Sequence, residues 1–402
     1  MNDSILVGAQ FWAYGPAGKA CAIAHELKKS NKNVTFAGTQ TSYQMCRDSG
    51  LFDKVIEINN PLEYERLGNQ FNGIVSVMDA YMALWAYKNN IPLVYADSMS
   101  WFWRWTKFDN KALDWIEKVK KMSFVDGCDL ISKLEPDQRQ LLAHLLSNEI
   151  YTQGPPQTIT LTENKAKNAG AMIDLNYIQS QTRDTVLISL SGEISPVTNL
   201  DMALRYVDMV FDLLTDKLQK WPNASRFVLT GNPMVINSIK NHPEFIELKA
   251  LNHSEFLSEL NRAVAVLIPC GFTTIYESLA YGAPVGFLPE NHNGHVYEYL
   301  TITKFLQKDR EKIFPETLFT LGESSLENIK DLDESMSLIN SCTDKYNSSK
   351  EYREIYKNKI DDWLRYFSDP KSLHLKQQTQ ILKMLPSFGG ARIVADAILK
   401  LI

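Results

Sequence analysis

The segment Pro269-Cys-Gly-Phe-Thr-Thr-Ile-Tyr-Glu-Ser-Leu-Ala-Tyr-Gly-Ala-Pro284 follows an apolar run, Val264-Ala-Val-Leu-Ile268, and carries residue types suited to an anion. Gly271, Phe272, Thr273 and Thr274 fall where a strand gives way to a helix. Main-chain N–H groups there carry partial positive charge, so a pyrophosphate fits. Glu277 lies three residues beyond Thr274, one turn deeper, where a carboxylate can accept both hydroxyls of a ribose. The same spacing suits a capping box, with Thr274 as N-cap and Glu277 at the third helical position. Spacing alone leaves both readings open.

A second polar cluster, Pro289-Glu-Asn-His-Asn-Gly-His-Val-Tyr-Glu298, follows the next predicted strand. Asn291, His292 and Asn293 can donate to phosphate oxygens or hold sugar hydroxyls, and Tyr297 and Glu298 begin a helix; a polar loop without a ligand reads the same way. Ser189-Leu-Ser-Gly-Glu-Ile-Ser195 and Thr230-Gly-Asn232 also follow strands. Gly192 permits close backbone approach to a ligand, or serves the turn alone.

In the first half, Tyr14-Gly-Pro-Ala-Gly-Lys19 has neither the GKS/GKT ending of a P-loop nor GxGxxG. Tyr14 and Lys19 are candidate ligand contacts; a close-packed turn with an exposed lysine competes. Asp79 and Asp97 each follow a predicted strand and fall on one sheet edge, where either can take a proton from a nucleophile. Asp79 also suits a helix N-cap, because Ala80-Tyr-Met-Ala-Leu-Trp85 follows it, which leaves Asp97 as the candidate base. After it come Trp101, Trp103 and Trp105 at alternate positions with Arg104 among them. They read as an aromatic floor with a carboxylate partner, or as buried packing.

These loops need sheets to hold them. Apolar runs at 5–7, 34–37, 55–58, 74–77 and 93–96 read as five strands separated by helices, and those at 186–190, 227–230, 245–248, 264–268 and 285–288 as five more. Strands apolar on both faces argue for two parallel, doubly covered sheets, and ligands bind beyond the carboxyl ends of such strands. Gln153-Gly-Pro-Pro156 and the polar stretch 162–170 are the linker candidate, giving domains at 1–160 and 185–380 with residues 161–184 between them. Residues 320–402 read as helical, and the terminal helix, 381–402, places Ile393, Ala397, Ile398 and Leu401 on one face, so it should pack on a domain.

With 402 residues the chain exceeds one core, so two domains with a cleft between them are expected. Its 42 basic and 47 acidic residues give a net charge of −5, and no Lys/Arg run forms a nucleic-acid stripe. The start lacks a positive n-region and any apolar run long enough for a signal or a span, so a cytoplasmic protein without a membrane anchor is expected. The five cysteines have no CxxC spacing and no HExxH occurs, so neither a metal site nor a disulfide framework is expected.

The run Gly271 to Pro284, with Pro289 and His292 after it, resembles the donor region of GT-B glycosyltransferases: Gly, small residues, Glu, Ala-x-Gly-x-Pro, then a polar loop. The resemblance implies an α/β, two-Rossmann GT-B fold with a helical C-terminal tail. It puts a UDP-sugar on the second domain and a small acceptor on the first. Glu277 would hold the ribose, Gly271 to Thr274 the pyrophosphate, and the loop from Asn291 the sugar and phosphates.

Gly15-Pro-Ala-Gly-Lys19, Ile91-Pro-Leu-Val-Tyr-Ala-Asp-Ser98 and Gly389-Gly-Ala-Arg-Ile-Val-Ala395 are similar to the cytosylglucuronic acid synthases of nucleoside-antibiotic pathways. That likeness implies transfer from UDP-glucuronic acid to cytosine or a related base. Where the peptidoglycan branch has Gly-Gly-Thr-Gly-Gly-His, Ala17-Gly18-Lys19 stands here, which speaks against a lipid acceptor. The expectation is metal-independent transfer with no cofactor beyond the UDP-sugar. A UDP-sugar 2-epimerase and a non-catalytic sugar-nucleotide sensor remain the alternatives, and the oligomeric state, a homodimer included, stays open.

Overall fold

The computed structural model describes residues 4–11, 14–103, 109–155, 166–191, 198–306, 313–314 and 332–402. The chain divides into two compact units, Met1–Asn176 with Leu382–Ile402 and Tyr177–Ile381. Gly192, Arg104 and Trp105 lie outside the described residues.

The first unit runs β1 (Ser4–Ala9), α1 (Gly15–Lys29), β2 (Asn33–Gly38), α2 (Gln40–Ser49), β3 (Lys54–Glu57), a 3-10 segment Pro61–Leu67, β4 (Gly73–Val77), α3 (Ala80–Lys88) and β5 (Leu93–Asp97). It continues with α4 (Asp109–Lys121), α5 (Phe124–Ser132), α6 (Pro136–Leu146), β6 (Glu149–Thr152) and β7 (Ala166–Asn168). The sheet is parallel throughout, in the order β3-β2-β1-β4-β5-β6-β7. Side-chain alternation divides its core: Ile5, Val7, Val75 and Val94 meet α1, while Leu6, Ile74, Leu93 and Tyr95 meet α3, α5 and α6.

Seven strands stand where the sequence pattern indicates five. β6 has four residues and begins with a glutamate, and β7 is a three-residue edge strand, Ala-Lys-Asn, with two exposed positions. Short polar edge strands leave no apolar run to detect. Within 161–184, the expected linker, β7 belongs to the first unit's sheet and 177–184 to the second unit.

The second unit runs β8 (Thr185–Ser189), α7 (Leu200–Leu218), β9 (Arg226–Thr230), α8 (Pro233–Ser238), β10 (Ile246–Lys249), α9 (His253–Arg262), β11 (Ala263–Ile268), α10 (Phe272–Ala280), β12 (Val285–Phe287) and α11 (Asn293–Leu306). Then come α12 (Leu332–Ser348), α13 (Lys350–Leu364) and α14 (Pro370–Ile381). Its parallel sheet has the order β10-β9-β8-β11-β12. Chain direction across the sheet therefore reverses between β8 and β11, as it does between β1 and β4 in the first unit. Such reversals open a crevice at the carboxyl ends of the strands.

The last helix, α15 (Gly390–Leu401), returns to the first unit and packs on α1 and β4. Its buried stripe is Ala391, Val394, Ala395 and Ile398, an i, i+3, i+4, i+7 set. Ile393, assigned to that face from sequence, is instead 39% exposed. Gly73 lies beneath it: a Cβ there would lie 2.8 Å from Cδ1 of Ile398, so a larger residue would force the ends of Ile398 and Ile402 to shift.

Because Ile398 is fully buried, Ile398→Ala should cost about 2–5 kcal/mol through lost burial and a residual cavity. Urea melts of the two proteins check this; equal midpoints would contradict the docking of α15.

Candidate functional site

β11 ends at Ile268 and Pro269-Cys-Gly leads directly into α10, at the β8/β11 reversal. The N-cap of α10 is Gly271, with φ −126° and no side-chain cap bond. The helix thus opens three residues earlier than the Thr274 capping box requires. Thr274 is already inside it, and its carbonyl accepts from Ser278 Oγ at 2.6 Å. The capping-box reading of Thr274 and Glu277 is corrected, and the rival explanation of Glu277 goes with it. Glu277 is 3% exposed, six positions into the helix.

Phe272 is buried, with its ring stacked on Tyr276 at 5.5 Å, so it offers a ligand its N–H and not its side chain. That N–H donates to Oε2 of Glu298, on α11, at 3.2 Å. Burial, followed by the Glu298 charge, holds the Cys270 thiol and the Tyr276 phenol well above their ordinary ranges. Gly271 is not demanded by the fold itself: its φ is ordinary, and a Cβ would meet only Pro269 O at 3.8 Å and Glu298 Oε2 at 3.9 Å.

The loop after β12 is fixed by its own polar groups. Tyr206 donates to Pro289 O at 2.7 Å, Asn291 Nδ2 to Leu190 O at 3.2 Å, and Asn293 Nδ2 to Ser335 Oγ at 3.2 Å. His292 Nδ1 accepts from Gly294 N at 3.0 Å, so the ring caps α11 and its proton belongs on Nε2, which can donate. The His295 ring lies 6.0 Å away, and its Nδ1 is buried with no partner among the described residues. Burial pushes His292 down to about 4; burial and the neighbouring His292 push His295 down to about 3. Beside this loop is a pocket lined by Thr198, Met202, Ala203, Tyr206, Asn291, Asn340 and Thr343. That lining supplies hydroxyls and amides and no charge.

The first unit answers differently. Asp97 is the last residue of β5 and is fully buried. Its carboxylate accepts from Met99 N at 2.8 Å and Trp103 Nε1 at 2.9 Å, and His144 Nε2 lies 2.8 Å from it. A carboxylate so enclosed holds the segment 98–103 in place, and the partners described for it all belong to the fold. Trp101 and Trp103 are 5% and 7% exposed, which makes them packing and not an open floor. Lys19 is 2% exposed and donates to Gly15 O at 3.3 Å, so the competing reading of an exposed lysine does not hold. Tyr14 is the N-cap residue of α1, half-buried, with no side-chain cap bond. Asp79 does cap α3, accepting from Tyr81 N at 2.9 Å and Met82 N at 3.1 Å, and Tyr64 donates to its other oxygen at 2.6 Å.

Three residues beyond the sequence assignments belong to these edges: Glu298, His295 and Gln10. Gln10 follows β1 at the β1/β4 reversal, donates its N–H to Val77 O at 3.0 Å, and has Oε1 buried without a partner among the described residues. A polar residue directly after a switch-point strand is a signal for Gln10; only the packing of α11 beside α10 reveals Glu298.

No protein-family model matches the chain, and no curated protein matches it by sequence. Solved structures do. The spinosyn rhamnosyltransferase SpnG, in complex with spinosyn aglycone, has TM-score 0.53 at 12% identity, covering 98% of this chain and 99% of that one. Os79 from O. sativa, in complex with UDP, has TM-score 0.53 at 11% identity, covering 99% of this chain and 100% of that one. A putative UDP-N-acetylglucosamine 2-epimerase from Listeria monocytogenes has TM-score 0.51 at 14% identity, covering 99% and 95%. These likenesses span the whole chain and show its fold, which is GT-B.

The two histidines make the fold acid-sensitive. Their folded-state pKa values lie below the ordinary 6.5, so the unfolded chain binds protons first as pH falls. Their effect on stability is nil above about 6.5 and grows unfavourable from there down to about 3, on the order of 8 kcal/mol in all. Urea melts between pH 7 and pH 4 should show this loss, and a His292→Asn, His295→Asn double variant should lose less.

Proposed function

We propose that the protein is a glycosyltransferase that binds a UDP-sugar on its second unit, at the β8/β11 reversal. The observation that carries this is Gly271: it caps α10 at the switch point of a GT-B chain, and neither its backbone conformation nor its neighbours require a glycine. A glycine the fold does not need leaves room for a ligand to approach the backbone. In this reading the first-turn amides of α10 meet the diphosphate, and Thr273 and Thr274 add hydroxyl donors. Glu277 takes the ribose hydroxyls. His292 donates from Nε2 to a phosphate oxygen, and the neutral pocket beside Asn291 receives sugar hydroxyls. Because helix-terminal amides and imidazole donors stabilise the leaving diphosphate, transfer is proposed to proceed without a metal ion.

The finer proposal is glucuronate transfer to cytosine or a related base, supported by the sequence motifs at 15–19, 91–98 and 389–395. It makes UDP-glucuronic acid and cytosine the first pair to assay. A UDP-sugar 2-epimerase is the second reading, because the Listeria protein shares the fold. Incubation with UDP-sugars alone separates the two: an epimerase rearranges the sugar or releases UDP without an acceptor.

Gly271→Ala should leave the melting temperature within a few degrees of wild type, since replacing a glycine at an N-cap by alanine costs at most about 1 kcal/mol. It should weaken UDP binding at least tenfold by calorimetry. Unchanged affinity would remove the diphosphate from this helix start. Glu277→Ala should likewise weaken UDP and leave pyrophosphate binding intact.

A further inference from the structure

We infer that the Glu298 carboxylate is an internal competitor for the donor's diphosphate, occupying the start of α10 until the nucleotide displaces it. This rests on the donor reading above. α10 has no cap of its own: Gly271 supplies no side chain, and its first turn holds no acidic residue. The cap comes instead from a different helix, with Oε2 of Glu298 accepting the Phe272 N–H at 3.2 Å. The same oxygen is 3.9 Å from where a Cβ on Gly271 would be, so the space beside the glycine is bounded by this carboxylate and by Pro269 O.

A second feature lies in the first turn of the same helix, α11. His295 lies three residues before Glu298, on the same face of α11, and its buried Nδ1 has no partner among the described residues. Leaving a buried polar atom unpaired is costly. A phosphate oxygen entering between the two helix starts can accept from His295 in the tautomer that carries its proton on Nδ1.

The electrostatics follow from charge count. A helix start favours one anion, and an intramolecular carboxylate meets that preference in the empty protein. A diphosphate brought to the same amides is repelled while Glu298 remains and gains the amides only when it withdraws. Donor affinity is then a difference between two anions at one site. Return of the carboxylate also hastens departure of the nucleotide product. A neutral ligand, or the nucleoside without phosphate, meets no such competition.

The test is calorimetry at constant ionic strength with pyrophosphate, UDP and uridine, on wild type, Glu298→Gln and Glu298→Ala. Glutamine retains an oxygen for the Phe272 N–H, so that variant keeps the cap while losing the charge, and thermal melts verify its fold. Pyrophosphate and UDP should bind both variants about tenfold tighter than wild type, with uridine unchanged. If UDP binds wild type and neither substitution tightens it or pyrophosphate, the competitor is overturned while the donor reading stands. If pyrophosphate tightens but UDP binds no form better than pyrophosphate does, the competitor stands and the uridine reading falls. Equal tightening of uridine also overturns the inference, because the effect is then not one of phosphate charge.

Discussion

The candidate site depends on β11 being hydrogen-bonded on both flanks. All six of its residues are buried, and it pairs with β8 on one side and β12 on the other, with Val266 opposite Leu187 and Val285. A strand closed on both edges and both faces can release the chain only over its carboxyl end. Pro269-Cys-Gly is therefore delivered to the gap between Leu190 and Leu288, where Leu288 N donates to Ile268 O at 2.7 Å. α10 starts there because the sheet leaves it nowhere else to start. The loop after β12 is then tied to the end of β8 through Asn291 and to α7 through Tyr206. Each polar group near the helix start inherits its position from that one strand.

The first unit uses polar burial for a different purpose. Asp97, with donors from Met99 and Trp103 and His144 beside it, closes the end of β5 against α6. Tyr95 donates to Gln140, at 2.5 Å, and Gln140 in turn donates to Met78 O at 3.2 Å, so the ends of β4 and β5 are joined through one helix. A buried carboxylate is tolerated only with such partners. This network ties the strand ends together around the Asp97 carboxylate. Gln10, at the neighbouring strand end, is the polar group there whose oxygen is not consumed by the fold among the described residues.

The two sheets were legible because their central strands are apolar on both faces and lie at regular intervals, and the β11-to-α10 turn was legible because an apolar run stops at a Pro and a Gly. What escaped sequence reading follows from tertiary context. β6 and β7 draw their stability from neighbours and not from their own polar residues. Whether Asp79 or Asp97 is enclosed depends on which helix covers it, and α6, which carries His144, is remote in sequence from both. The cap of α10 was sought locally, at Thr274 and Glu277, whereas Glu298 supplies it from another helix. Ile393 and Val394 differ by one position, too little for periodicity to decide which faces the sheet.

The central claim is that a nucleotide diphosphate binds at the α10 helix start. Amide hydrogen exchange with and without saturating UDP tests it most directly, because exchange reports which backbone N–H groups a ligand covers or rigidifies. The account predicts slowed exchange confined to peptides spanning residues 270–278 and 289–298. Protection elsewhere, or none at saturating UDP, would contradict it.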